Sequence, residues 1–529
     1  MAQLSLCNCC SGGRSSLSQV LIVFALVLEI ICSFQLSTSH SIVQSLPGFQ
    51  GPLPFVLETG YVGVGETEEE QDGEVFYYFI HSENNPKEDP LLLWLTGGPG
   101  CSAFSGLVFE VGRYIPNTKG YVTEQDTRHR GTKSYLIEET WIDTMSFIIY
   151  KRGIQWELAK SGFEATVMDK GLVLDLPVGA GFSYAKTERA VHQSTRKVVQ
   201  DAHQFLRKWL VDHPEFLSNE VYIAGDSVSG LPIPAIVEEI SNGNEGGVQP
   251  HINLQGYLLG NPFTTFTEDN YAVAFNHGMG LISDELYESL NRNCKGEFIN
   301  VNPGNKACVR DMESYKEVRK LVGPQTISGI YVCHILEPNC EFALRKAWRR
   351  RSLTLTDQLH KFPILAVPPL SCRHSPLNLL FSTSQSHAYL LCTYWANFEE
   401  VRKALNVRKG SIGKWQRCNY DILYKHDIRN SVQYHENLSS KGYRSLIYSG
   451  DHDMIVPFLA TQAWIRSLNY TIVDEWRQWY VNGQVAGYTR TYSNRMTFAT
   501  VKGGGHTATE YKPEECLGMF IRWISKRPL

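Results

Sequence analysis

The run Val221-Tyr-Ile-Ala-Gly-Asp-Ser-Val-Ser-Gly230 constrains this chain more than any other stretch. Val221 to Ala224 is short, apolar and rich in residues that suit a buried strand, and Leu231 to Ile240 is helix-compatible. The six residues between must turn sharply. A serine held on such a strand-to-helix turn needs tiny residues two before and two after it, or side chains collide and the hydroxyl cannot stand clear of the sheet. Gly225 meets that demand; Ser229 stands where glycine is commoner, with Gly230 just beyond. Short Gly/Ser strings also make ordinary turns, so the meaning of this one depends on the residues downstream of it.

At 529 residues there is room for one large domain with an insertion, or for two domains. Apolar content of 43% and charged content of 20% exclude a disordered chain. A formal charge of -4, with no long basic run interleaved with aromatics, argues against a nucleic-acid partner. Arg349-Arg350-Arg351 reads as a solvated helix face. Val20 to Leu28 and Ile30 to Phe34 form an apolar run broken by Glu29 and preceded by Arg14, which reads as a signal peptide over about residues 1–40. The rival, an uncleaved anchor, needs about 20 apolar residues without a carboxylate. The expectation is therefore entry to the secretory pathway, a secreted or vacuolar product, and no stable membrane association after signal removal.

Cysteine usage agrees with that compartment. Nine of the thirteen cysteines lie beyond the signal, and none of the nine forms a CxxC pair, so disulfides are favoured over zinc. Neither a metal nor a cofactor is expected. Asn437-Leu-Ser and Asn469-Tyr-Thr are glycosylation sequons.

Apolar runs at Pro90–Thr96, Gly171–Pro177, Val221–Ala224, Leu254–Leu259, Arg444–Tyr448 and Met496–Val501 read as strands buried on both faces. Pro54 to Tyr78 reads as an antiparallel edge hairpin. Helical stretches lie between strands, at Val199–Leu210, Glu399–Leu405, Ser431–Lys441, Leu459–Leu468 and Pro513–Trp523. This alternation predicts an α/β fold: a mostly parallel central sheet with helices on both faces. Residues 264–394 break the rhythm and hold six of the nine remaining cysteines, so they read as an inserted helical cap. The core is then 41–263 and 395–529.

Two later motifs give the serine its company. Tyr448-Ser-Gly-Asp451-His452-Asp453 and Lys502-Gly-Gly-Gly-His506-Thr507 each follow an apolar strand, which puts both at the sheet edge where a nucleophile turn presents its serine. Acyl transfer needs a nucleophile, a base and an acid that orients the base, and the chain order Ser, Asp, His is that of the α/β-hydrolases. Either Asp451 or Asp453 could be the acid on this pattern, and either could instead stabilise a turn.

Leu93-Trp-Leu-Thr-Gly-Gly-Pro-Gly-Cys-Ser102, Pro177-Val-Gly-Ala-Gly-Phe-Ser-Tyr184, Gly225-Asp-Ser-Val-Ser-Gly230, Ser449-Gly-Asp-His-Asp453 and Gly503-Gly-Gly-His-Thr507 together resemble the serine carboxypeptidases. The likeness is greatest to the plant serine carboxypeptidase-like proteins. The resemblance implies an α/β-hydrolase fold, with Ser227 as nucleophile, His506 as base and Asp453 as its carboxylate partner. It implies an oxyanion hole from the backbone N–H groups of Gly98 and Val228, and disulfides Cys101–Cys372 and Cys294–Cys308, with Cys333–Cys340 a third pair.

Substrate-carboxylate binding in the family uses an Asn before Gly-Gly, a Glu before the serine and a further Glu. Those positions match Thr96 (beside Gly97), Asp226 and Glu110. The changes at Thr96 and Asp226 resemble the family's acyltransferase branch, which moves acyl groups from glucose esters to hydroxyls or amines. A peptide or a small acyl ester is therefore the expected substrate; a catalytically silent member is a third reading. Arg113 to Lys170, within an anomalous 113–171, and His374 to His387 depart from the family pattern. Each is a genuine insertion or the product of a retained intron or shifted frame. A core strand lost in the first would leave backbone groups of the sheet unpaired.

Overall fold

The central strands show how sequence period becomes architecture. In β3 (Leu91–Leu95), Leu91, Leu93 and Leu95 join one hydrophobic cluster, while Leu92 and Trp94 join another on the opposite face. In β5 (Val221–Asp226) the split repeats, with Val221 and Ile223 on one side and Tyr222 and Ala224 on the other. Side chains alternate along a strand, so a run with no polar position has both faces covered.

The computed structural model describes residues 40–48, 51–53, 55–65, 70–82, 85–110, 171–320, 330–337, 389 and 392–529. The chain divides at Ser41, and Ile42–Leu529 is one compact unit. Its other main sheet strands are β1 (Leu57–Val64), β2 (Gly73–Ile80), β4 (Gly171–Leu174), β6 (Leu254–Gly260), β7 (Arg444–Gly450), β8 (Ile472–Val481), β9 (Gln484–Tyr492) and β10 (Met496–Val501), and a short strand, Tyr184–Ala185, pairs with the start of β2. Their order is β1-β2-β4-β3-β5-β6-β7-β10-β9-β8. From β4 to β10 every pairing is parallel, and the two ends are antiparallel.

Gly171–Leu174 pairs antiparallel with β2 and parallel with β3, so the sheet is continuous there. Among the described residues no central strand is lost next to the anomalous stretch, 111–170 of which lies outside them. The hairpin β8–β9 was not expected from the sequence. Its turn is Asn482-Gly483, both with positive φ (50° and 74°), the pair that a two-residue hairpin favours.

Helix α1 (Thr195–Asp212) is capped by Ser194, whose hydroxyl accepts from Lys197 N–H, and it stops before Pro214. Its stripe Val199, Ala202, Phe205, Leu206, Trp209 and Leu210 packs into the first cluster with residues of α2 (Pro232–Glu245). On the other face, Met519 and Trp523 of α6 (Pro513–Ile524) join the second cluster. Helices α3 (Asp284–Cys294) and α4 (Lys306–Lys320) share a small cluster of their own with Cys294 and Cys308. Helix α5 (Phe458–Ser467) follows β7.

Two disulfide expectations are corrected. Cys294–Cys308 forms, but Cys101 bonds Cys418, not Cys372. The backbone decides this: Ser102 N–H donates to Arg417 O (2.7 Å) and Asn419 N–H to Gly100 O (2.9 Å), a small antiparallel bridge with the two cysteines at its centre. Cys333 carries a free thiol rather than a bond to Cys340; burial, set against a hydrogen bond with Tyr331, pushes that thiol up to about 12. Cys340 and Cys372, residues 374–387, Arg345–Arg351 and most of the signal stretch lie outside the described residues. Among the described residues no helix is long and apolar enough to cross a membrane.

Beneath α1, Glu58 and His213 form a buried pair, with His213 Nε2 3.0 Å from Glu58 Oε1 and Tyr77 donating to the same oxygen (2.6 Å). Burial alone would raise Glu58, but bonds from His213, His81 and Tyr77 outweigh it and hold the carboxyl well below its usual range. Burial likewise pushes His213 down, yet its bond to Glu58 leaves it raised. A raised histidine stabilises fully below its unfolded pKa and less as pH climbs through the folded one. A lowered carboxyl stabilises above its unfolded pKa. Both contributions therefore coincide between about pH 4.5 and 6.5. His213→Ala should cost about 3 kcal/mol at pH 5.5 and clearly less at pH 8, read from denaturant midpoints; an equal loss at both would count against the ion pair.

Candidate active site

At the end of β5 the chain turns through Ser227–Gly230, and Ser227 takes φ 55°, a left-handed conformation that a non-glycine residue rarely holds. A Cβ at Gly225 would come within 2.2 Å of Leu95 O, so nothing larger fits two positions before the serine. After it, the space limit falls one residue later than the usual pattern: Ser229 is accommodated and buried, whereas a Cβ at Gly230 would meet Phe263 O at 2.7 Å.

His506 comes from the loop after β10 and Asp453 from the loop after β7, adjacent parallel strands. Their carboxyl ends bring the two loops together beside the serine. His506 Nε2 lies 2.7 Å from Ser227 Oγ, and His506 Nδ1 lies 2.8 Å from Asp453 Oδ2. Asp453 is fully buried and also accepts from Asn261 Nδ2 (2.8 Å) and from the N–H groups of Ile455 (2.7 Å) and Val456 (3.3 Å). Burial pushes the His506 imidazole down, but the charge and bond of Asp453, with Asp226, leave it raised above its ordinary value.

Asp451 is not part of this chain of bonds. Its Oδ1 accepts from Gly503 N–H (2.7 Å) and lies 2.7 Å from His452 Nδ1, so it ties the two loops at their base.

The loop before the serine is as tightly specified. A Cβ at Gly97 would sit 2.5 Å from Ser227 Cβ, and Gly98 holds φ 139°, which admits only glycine readily. Gly97 N–H donates to Asp226 Oδ1 (2.8 Å). Gly98 and Val228 directly follow Gly97 and Ser227, which lie so near each other that no side chain fits at 97. Thr96 is buried at the end of β3. Burial raises the Asp226 carboxyl to about 6 against the opposing effects of His506, the Gly97 N–H and Arg417. Glu110 closes a widened helical turn, Gly106–Glu110, and its side chain lies outside the described residues.

Three contributors escaped the sequence. Asn261, which also accepts from Gly450 N–H (3.2 Å), orients Asp453 from the end of β6. Its only sequence signal is Gly-Asn-Pro after an apolar strand. Arg417 sits beside the disulfide, its guanidinium 4.0 Å from the Tyr389 ring centre and near enough to lower Asp226. The segment 330–337 lies across both loops: Met454 N–H donates to Val332 O (3.0 Å), Ile335 N–H to His452 O (3.2 Å) and His506 N–H to Cys333 O (2.6 Å). Of the sequons, Asn469 is exposed, while Asn437 is half-buried and donates to Glu238 Oε1 (2.7 Å).

Comparison with known proteins agrees with this architecture. The chain is 49% identical over 496 residues to serine carboxypeptidase-like 12 of Arabidopsis thaliana, covering 93% of this chain and 95% of that one. It is 48% identical over 518 residues to serine carboxypeptidase-like 1 of the same plant, covering 97% and 98%. A crystal structure of a prohormone-processing carboxypeptidase from Saccharomyces cerevisiae superposes with a TM-score of 0.62 at 18% identity, covering 91% of this chain and 94% of that one. The shared fold is that of the α/β-hydrolases. The serine carboxypeptidase family model matches residues 47–143 and 168–526. By that span and that identity, the chain belongs to the serine carboxypeptidase family.

Proposed function

We propose that this protein is a serine carboxypeptidase that releases C-terminal residues through an acyl-Ser227 intermediate. The observation that carries the reading is the unbroken chain Ser227 Oγ–His506–Asp453, with contacts of 2.7 and 2.8 Å. His506 Nε2 takes the hydroxyl proton as Ser227 Oγ attacks the scissile carbonyl, and later gives it to the leaving amine. Asp453 holds the ring and stabilises the imidazolium. The N–H groups of Gly98 and Val228 receive the oxygen of the tetrahedral intermediate. Water then releases the acyl group.

Thr96, Gly97, Asp226 and Glu110 would form the subsite for the terminal carboxylate, with Arg417 adding positive charge nearby. A protonated Asp226 can donate to that carboxylate, whereas an ionised one repels it. Because burial places Asp226 near 6, KM for a blocked dipeptide should rise as pH climbs above about 6. Asp226→Asn should flatten that rise. A variant whose KM still climbs in the same way would rule out this role.

A second reading, acyl transfer from a glucose ester to a small acceptor, draws support from the Thr96 position. There the amide donor of the peptidase pattern is replaced by a buried hydroxyl. Both reactions share acyl-Ser227 and differ in whether water or a bound acceptor resolves it. Offering a blocked dipeptide beside a phenolic glucose ester at pH about 5, with product analysis, decides between them. Thr96→Asn should shift turnover toward the dipeptide, and unchanged selectivity would count against the subsite. We also propose the secretory route, with residues 1–40 as signal, 264–394 as an inserted cap, and glycans at Asn437 and Asn469.

A further inference from the structure

Strand β4 is followed directly by Asp175, a fully buried carboxylate with no cation paired to it among the described residues. An uncompensated carboxylate is costly to bury, and two of its three donors, Ser102 and Ala103, stand where the loop that starts against the serine at Gly97 ends. Its Oδ1 accepts from Ser102 Oγ (2.8 Å) and Ala103 N–H (2.6 Å), and its Oδ2 accepts from Phe182 N–H (2.8 Å). Burial still raises it to about 7, against those three bonds. Ser102 and Ala103 terminate the loop that begins at Gly97, so the carboxylate grips the end opposite to the one held by Asp226.

The rear of that loop rests on the segment around Asn419, and a Cβ at Gly100 would fall 2.5 Å from Asn419 O. Asn419 and Ile422, which lie against Gly100, line a cavity of about 350 Å³ together with Gly179 and Gly181. Beyond that contact the loop is held by directed bonds: the Cys101–Cys418 disulfide, Asn419 N–H on Gly100 O, Asp226 on Gly97 and Asp175 on Ser102 and Ala103. Position Gly181 has no room for a side chain because a Cβ would fall 2.1 Å from an Asp175 oxygen. Asp175 is thus locked from the Pro177–Tyr184 side as well.

We propose that Asp175 is a positioning residue for the oxyanion loop: by fixing Ser102 and Ala103 it holds the Gly98 N–H against Ser227. The inference rests on the acyl-serine reading above. Its test uses a peptide aldehyde and the matching peptide alcohol. Ser227 Oγ bonds to the aldehyde carbon, the carbonyl electron pair moves onto oxygen, and the serine proton passes to His506; the alcohol has no carbonyl and reports ground-state binding alone. In Asp175→Asn and Ser102→Ala, aldehyde affinity and kcat should fall roughly ten- to a hundredfold, with KM and alcohol affinity changed less than about twofold.

Equal weakening of aldehyde and alcohol, or no change in either, overturns the proposal. So does loss of the folded near-ultraviolet spectrum in Ser102→Ala, since Asp175 would then serve folding and not the loop. A fluorophosphonate that fails to label wild type removes the nucleophile itself, and this inference with it. A labelled wild type with unaltered aldehyde binding in the variants removes only the inference.

Discussion

Ser227→Ala is expected to lower kcat by about 10⁶ and to abolish fluorophosphonate labelling, while leaving the chain folded. The size follows from geometry: only the hydroxyl is lost, yet without it His506 has no proton to take and no acyl-enzyme forms. Alanine keeps the Cβ that Gly97 packs against, so the turn retains its contacts. The left-handed φ at 227 is no harder for alanine to hold in kind than for serine. Thermal unfolding of the variant should stay within a few degrees of wild type. Retained labelling at another residue would show that the serine is not the nucleophile. The silent-protein reading predicts no labelling of wild type at all.

Asp453→Asn should cost about 10⁴ in kcat, and Asp451→Asn no more than about tenfold. An asparagine at 453 can keep its oxygen toward Ile455 N–H, but then turns its amide toward His506 Nδ1 and toward the donors of Asn261 and Val456 that share that side. That forces the ring to accept at Nδ1 and carry its proton at Nε2, facing Ser227 with a donor where an acceptor is needed. Asp451 holds only Gly503 N–H and His452, at the base of the two loops. Steady-state kcat on a blocked dipeptide or a phenolic ester checks both. Comparable losses from the two changes would mean that the loops act as a unit and that the assignment to Asp453 is wrong.

Local pattern told much of this in advance. Unbroken apolar runs such as Leu91–Leu95 and Val221–Ala224 have one economical home, a strand covered on both faces, and both lie at the sheet centre. The helix ending at His213-Pro214 and the serine turn were also legible, because caps, prolines and glycines act over a few residues. Chain order and strand context placed Ser227, the loop carrying Asp451 and Asp453, and His506 on one edge without any knowledge of their separation, and the family resemblance alone singled out Asp453.

What the sequence by itself determined, then, was everything set by short-range sterics and by the two-residue period of a strand. Tertiary structure alone decided the rest. It chose Cys418 over Cys372 for Cys101 across 317 positions, since backbone pairing beside Gly100 and Arg417, not spacing, brings the sulfurs together. It gave Asp451 and Asp453 different work although one residue separates them, because the strand end points their side chains to different partners. It set Asn261, Arg417 and the 330–337 segment around the site and Asp175 at the end of the Gly97–Ser102 loop. Each is an ordinary polar or cap residue in the sequence, and its chemistry arises only from what a distant part of the chain places next to it.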